Sequence, residues 1–483
     1  MISSTCETLM FTIKRKEPEL ISPSRPTPHE LKFLSDIDER LRFHTPVIQF
    51  YRNNGNDDNI VIASRTADPV DVIREAIADA LVFYYPFAGR VRETPYGGKL
   101  VVECTGEGVM FIEADADLRL DQFTCMDALR PPFPCLDELL YIVPGSGDII
   151  NCPLLLVQVT RLLCGGFILA LRLNHVISDA QGLHQLMVAI GEIARGSGAP
   201  SVLPVWRREL LNSHEPLSIP NRDYDLVHES RIVSLPFGQN QRVQHAFFFG
   251  QQEMTSLKKQ LPPHLRTCSD FEILTACLWK CRTIAFNLDS KEDVRLFYTV
   301  NGRGKDRLNL PVGFYGNALF YGMAFSTAEK LGKNPLGYTL DLVIESKKKL
   351  LNTETVGDRN AIMKKKMFRS WTDFMTNYAL AGSHFFVTDV TRARFAEVDY
   401  GWGKAVYGGQ MKVNALPNPE ERCFYIPFEN NKGEYGILVP LSFPLECMKK
   451  FVVEVGVMVM VSQPPGRGCN QSQTSKKLIA SAL

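Results

Sequence analysis

The 483-residue chain has a formal net charge of +1, with 45% hydrophobic and 22% charged residues. That is the balance of a globular protein long enough for two or three domains, and it leaves no electrostatic footprint for nucleic acid or an anionic membrane. No stretch reaches the ~18 uninterrupted apolar residues of a membrane span.

The opening residues Met1–Cys6 soon give way to charge and read as lacking a signal-peptide core. A strand-like run, Thr8–Ile13, follows, and Val47–Tyr51 reads as a second strand. Val72, Ile73, Ala76, Ile77, Ala80 and Leu81 recur at helical spacing between Val70 and Tyr84, and Pro86 and Gly89 end that helix. Leu100–Cys104 and Val109–Glu113 read as a hairpin across Thr105–Gly108. Leu154–Thr160 and Gly166–Leu173 read as an antiparallel pair about Cys164–Gly165. Helical spacing resumes at Leu183, Leu186, Met187, Ile190 and Ile193 and stops at Gly196.

Pro200, Pro204, Pro216 and Pro220 mark residues 196–223 as a linker. Beyond it come a strand at Val243–Phe249, a helix at Asp270–Cys281, a strand at Val294–Val300 ending in Asn301-Gly302-Arg303, and a helix at Leu336–Leu351. Strands at His384–Val387 and Gly436–Leu441 follow. The order is not a regular β-α alternation. It predicts an α/β protein of two mixed-sheet domains, residues 1–195 and 224–483.

Twelve cysteines show no paired pattern. Cys277 and Cys281 share a helix without the second pair or histidines that a zinc set requires, so reduced buried thiols and no metal are expected. Lys364-Lys365-Lys366 reads as a solvated face. Gly401-Trp402-Gly403-Lys404 lacks the upstream glycines of a phosphate cradle, and no Gly-x-Ser-x-Gly elbow is present. A cytoplasmic location is expected. The final Ser481-Ala482-Leu483 differs from Ser-Lys-Leu at its middle position and leaves a peroxisomal address as the alternative.

Leu173-Asn174-His175-Val176-Ile177-Ser178-Asp179 joins an apolar strand to a helix. At ~6% Asp, nine histidines give about 0.5 chance matches to His-x-x-x-Asp, so the pattern needs its context. His175 stands at a strand exit, where a general base can serve. Asp179 stands at the helix start, where it either caps the helix or orients the site. Asp399-Tyr400-Gly401-Trp402-Gly403 reads as a glycine turn presenting an indole.

These two motifs, about 220 residues apart in a chain of two-domain size, resemble those of the plant BAHD acyltransferases. That family carries His-x-x-x-Asp near mid-chain and Asp-Phe-Gly-Trp-Gly toward the C-terminus; here Tyr400 replaces the Phe. Leu81–Arg90, Glu103–Gly108, Glu113–Asp117, Gly313–Asn317 and Thr388–Arg392 are similar to further family blocks. Pro18–Ile21, Leu34–Asp38 and Leu203–Trp206 resemble the benzyl-alcohol benzoyltransferase and alcohol acyltransferase branch. Glu354–Asp373 departs from that branch, as an altered acceptor-pocket wall or a divergent surface helix.

The resemblance implies two chloramphenicol acetyltransferase-like domains with a channel at their interface. It implies acyl-CoA, benzoyl-CoA foremost, and a small alcohol as substrates, with no permanently bound cofactor, and a monomer. His175 would be the general base of a direct transfer and Asp179 an orienting residue paired with Arg303. Trp402 would be an oxyanion donor or, with Asp399, part of a structural turn. Thr388, Thr391 and Arg392 would contact CoA. Alternative readings are another acyl donor (acetyl, tigloyl or anthraniloyl) or a specialised-metabolite acceptor, and a non-catalytic binding protein. Condensation domains also share His-x-x-x-Asp but usually place Gly where this chain has Ala180.

Overall fold

The computed structural model describes residues 11–53, 67–94, 98–124, 129–133, 136–212, 242–352, 358–379, 383–411 and 422–460. Residues 8–10 of the first expected strand, linker residues 213–223, residues 354–357 and the terminal Ser481-Ala482-Leu483 lie outside these. Two compact units divide the described residues. The first takes residues 11–212 with 310–318 and 392–411; the second takes the rest. Neither unit is therefore a contiguous half of the chain, as the sequence boundaries 1–195 and 224–483 assume.

The first unit is built on a seven-stranded sheet ordered β1(Ile13–Arg15), β7(Val109–Ala116), β8(Leu155–Leu162), β9(Phe167–Asn174), β4(His44–Tyr51), β14(Tyr407–Gln410), with β2(Glu19–Ile21) also on β7. β7 and β8 run parallel and the other pairs antiparallel. All eight residues of β9 are buried, because the strand is central and covered on both faces. That explains its near-continuous apolar run. β3(Leu31–Phe33), β6(Leu100–Glu103) and β5(Arg90–Glu93) form a separate three-stranded sheet.

The hairpin expected from residues 100–113 is thus corrected: β6 pairs with β3 and β5, while β7 joins the large sheet. Alternating apolar residues read the same in a hairpin and in neighbouring sheets, so periodicity could not separate them. Gly108 makes the crossing at φ 107°, and a Cβ there would collide with the Ile21 main chain.

Helix α1(Pro69–Phe83) packs beside α4(Ala180–Ala194). Two short helices, α2(Leu120–Thr124) and α3(Leu136–Leu139), lie between them in the chain. Asp68 caps α1, accepting from the Val70 N–H at 3.0 Å, with Pro69 as the first helical residue. The expected linker begins as part of this unit: Val205 bridges Phe314, and Trp206 Nε1 donates to the Phe33 carbonyl at 3.1 Å.

The second unit carries a six-stranded sheet in the order β10(Arg242–Phe249), β16(Tyr435–Pro444), β15(Arg422–Glu429), β13(Ser383–Asp389), β11(Asp293–Asn301), β12(Leu319–Thr327). β11–β13 and β13–β15 are parallel. Its helices are α5(Gln251–Lys259), α6(Asp270–Ala285), α7(Ala328–Lys333), α8(Leu336–Leu351), α9(Arg359–Ala379) and α10(Leu445–Val459). A Ser269–Glu272 capping box starts α6, and α8 and α10 pack on it. Residues 359–373 of the divergent segment lie in α9. It lays Met363, Met367, Trp371 and Phe374 in the core, against β12. Cys277 and Cys281 are buried free thiols one turn apart on α6. No helix among the described residues is long and apolar enough to cross a membrane.

Candidate active site

β9 ends at Asn174, and the chain turns through His175 to Ser178 before α4 begins at Ala180. Asp179 caps that helix. Its Oδ1 accepts from the main-chain N–H groups of Gln181 and Gly182 at 3.1 and 3.0 Å. Its Oδ2 accepts from the Ala318 N–H at 3.1 Å. The carboxylate therefore joins the helix start to the Gly313–Asn317 block, beyond the local capping role read from the sequence. Ser178 Oγ donates to the Tyr315 carbonyl at 2.8 Å, and Gly182 passes so close to that carbonyl that a Cβ would collide with it.

The main chain of His175 is held on both sides. Its N–H donates to the Phe43 carbonyl at 2.8 Å, and its carbonyl accepts from Asn317 Nδ2 at 2.8 Å. The Phe43 ring lies against the imidazole, centroids 4.7 Å apart. The side chain is half-buried. Nδ1 is buried. Burial pushes the His175 pKa below its ordinary 6.5, against the opposing pull of the Asp179 carboxylate. The ring is thus neutral near pH 7, the state a general base requires.

A buried pair stands behind this turn. Asp38 accepts from Ser35 Oγ and from Asn317 Nδ2, both at 2.7 Å, and its Oδ2 lies 3.6 Å from Arg208 Nε. Arg208 Nη2 donates to the Ile177 carbonyl at 2.7 Å, and the guanidinium stacks over Trp206 and Tyr315. The sequence assigns no role to Asp38, Asn317 or Arg208. Two of them lie in the blocks Leu34–Asp38 and Gly313–Asn317 that carry the family resemblance, and that was the available signal.

The Asp399–Gly403 turn also belongs to the first unit. Asp399 Oδ1 accepts from the N–H groups of Gly401 and Gly403 at 2.7 and 2.8 Å, and both glycines have positive φ. Its carbonyl takes a hydrogen bond from Arg195, next to Gly191, whose missing Cβ makes room for it. Trp402 packs edge-on to Phe167, centroids 5.3 Å apart. Phe167 opens β9 and His175 follows its last residue. Eight residues at ~3.3 Å each put the indole roughly 20 Å or more from the imidazole. This placement fits the structural alternative for Trp402, with the turn packed at the far end of the strand.

Arg303 stands in the second unit after β11, its N–H donating to Asn301 Oδ1 at 2.9 Å. Thr391 is already engaged there, its Oγ1 donating to Asp389 at 2.6 Å. Thr388 lies in β13, and Arg392 is exposed. No group of His, Cys, Asp or Glu suited to a metal occurs among the described residues.

A family model described as the transferase family matches residues 9–457. The benzyl alcohol O-benzoyltransferase of Nicotiana tabacum is 50% identical over 470 residues, covering 96% of this chain and 97% of that one. The chain belongs to the BAHD acyltransferase family. Alcohol acyl transferase 1 (allele GSa) of Malus domestica is 46% identical over 477 residues, 96% of this chain and 97% of that one. Among solved structures, vinorine synthase matches with TM-score 0.68 at 22% identity, covering 92% of this BAHD chain and 98% of that chain. TRI101 of F. sporotrichioides, complexed with coenzyme A and T-2, matches at TM-score 0.62 and 16% identity, over 88% and 97%. These two share the fold.

Proposed function

We propose that the chain transfers an acyl group from a coenzyme A thioester to a small alcohol, with benzoyl-CoA and benzyl alcohol as the leading pair. The placement of His175 carries the reading: a neutral, half-buried imidazole at the exit of a fully buried strand. The activities for which the tobacco and apple relatives are named support the substrate classes.

An alcohol is too weak an acid to ionise near neutral pH. His175 Nε2 takes its proton as the oxygen attacks the thioester carbonyl carbon. A C–O bond forms and the carbonyl becomes a tetrahedral oxyanion. Its collapse breaks the C–S bond, and the imidazolium returns the proton to the leaving sulfur. Ester and free CoA result, and no covalent enzyme intermediate is needed. Asp179 acts by fixing the turn and the start of α4. Arg303 as its partner, and Thr388, Thr391 and Arg392 as CoA contacts, are proposed on the family resemblance alone, as are a monomeric state and a cytoplasmic or peroxisomal location.

A panel of acyl-CoAs crossed with alcohols, read by product mass, tests the substrates. His175→Ala is expected to abolish transfer while CoA still binds; near-normal turnover would refute the base assignment.

A further inference from the structure

The catalytic turn is wired to a buried charge pair that the proposed chemistry does not use. Asn317 Nδ2 donates both its hydrogens, one to the His175 carbonyl at 2.8 Å and one to Asp38 Oδ1 at 2.7 Å. Its main-chain N–H also reaches Asp38 Oδ1, at 3.0 Å. Asp38 Oδ2 is filled by the Ser35 N–H and Oγ, and it faces Arg208. Arg208 then returns to the same turn through the Ile177 carbonyl. The side chains of Asp38 and Arg208 are 0% and 1% exposed.

The amide orientation follows from its partners. A carboxylate and a carbonyl both demand donors, so a flipped amide would set oxygen against two acceptors. The cost is visible: Asn317 Oδ1 is buried without a well-aligned hydrogen bond, though the Asn317 side chain also reaches the His175 imidazole. Buried ion pairs are also poor sources of net stability compared with apolar packing. An arrangement that leaves a polar atom poorly satisfied and buries a charge pair, yet ends twice on the main chain of residues 175–177, is explained by geometry rather than by stability.

We infer that Asn317, held by Asp38 and Arg208, is a positioning residue for His175, fixing the turn so that the imidazole meets the alcohol in a reactive orientation. The inference rests on the base role proposed above. Phe43 completes the clamp, through its carbonyl on the His175 N–H and its ring on the imidazole.

The test compares Asn317→Ala with His175→Ala and with Lys280→Met. Lys280 holds three main-chain carbonyls in the second unit and serves as a destabilised control away from the turn. Kinetics are measured per folded molecule, with folding followed by circular dichroism. Misplacing a reacting group by about 1 Å can cost ~100-fold in rate. Asn317→Ala should therefore lose roughly 10- to 100-fold in kcat, with KM for both substrates changing less than about 3-fold. Lys280→Met should melt earlier at unchanged kcat. Where Asn317→Ala yields no folded protein, the isosteric Asp38→Asn carries the test, with a smaller loss confined to kcat. A full kcat in the folded variant, or a loss that appears only in KM, overturns the positioning role. If His175→Ala itself turns over normally, the base assignment falls instead, so the two failures are distinguishable.

Discussion

Gly182→Ala sets two opposed effects against each other. In an open helix the change is favourable by about 1 kcal/mol, because glycine gives up more backbone entropy. At position 182 the new Cβ would stand 2.6 Å from the Tyr315 carbonyl carbon and closer still to its oxygen, where ordinary contact begins at 3.4 Å. The neighbour is main chain, so it must retreat by about 0.8 Å or more. Overpacking of this kind costs ~1–3 kcal/mol, and the Ser178–Tyr315 hydrogen bond adds ~1 kcal/mol when strained. The clash wins: a net loss of about 1–3 kcal/mol is expected, roughly 3–10 °C in Tm for a unit of this size. Asn317 lies two residues beyond Tyr315, so kcat should fall ~10-fold with it. Gly456→Ala in α10 meets nothing within 4 Å and should gain ~0.5–1 kcal/mol. Thermal melts of both variants, with initial rates, decide the matter. A Gly182→Ala protein that melts at or above the parent temperature with full kcat would refute the packing argument.

Four further outcomes follow from the same geometry. Because the His175 pKa lies below 6.5, the acid limb of kcat/KM should fall below pH 6.5, with activity lost as the ring gains its proton; a limb above 6.5 contradicts this. His44 is held neutral by burial at a pKa of about 4, so the unfolded chain takes up the proton first as pH drops. Its share of acid destabilisation, of the order of 3 kcal/mol between pH 7 and pH 4, should vanish in His44→Gln, as urea melts at the two pH values can show. Asp179→Ala removes a cap worth ~1 kcal/mol and strands the Ala318 N–H at ~1–3 kcal/mol more, so it should destabilise further than the cap alone explains; a loss near 1 kcal/mol in denaturant melts reduces Asp179 to a cap. Trp402→Phe should lower Tm while kcat stays within about 3-fold, and a specific loss of kcat in the folded variant would restore the indole to the chemistry.

Local pattern was enough for several elements. Helical spacing from Val70 and again from Leu183 marks α1 and α4, and the apolar runs about Cys164–Gly165 mark β8 and β9. His175 at the strand exit is a consequence of that local reading, because the strand end and the helix start are both encoded within a few residues. The divergent segment reads as polar and lysine-rich, yet as α9 it turns one apolar face into the second unit's core.

What the sequence by itself determined is the kind of protein: two motifs and several blocks specific enough to name the family, and a histidine at a strand exit. Only tertiary structure decided which residues hold that histidine. Residues 310–318 and 392–411 leave the second half of the chain to fold with the first unit. This carries Asn317 to the carbonyl of His175 and Trp402 to the far end of β9. Hydrogen bonds such as Asn317 to Asp38 span 279 residues, and no local periodicity records them. Nor does a glycine announce that its missing Cβ makes room for another segment's main chain. The physical reason is the same in each case: local spacing fixes which face a side chain takes, and long-range packing fixes what that face meets.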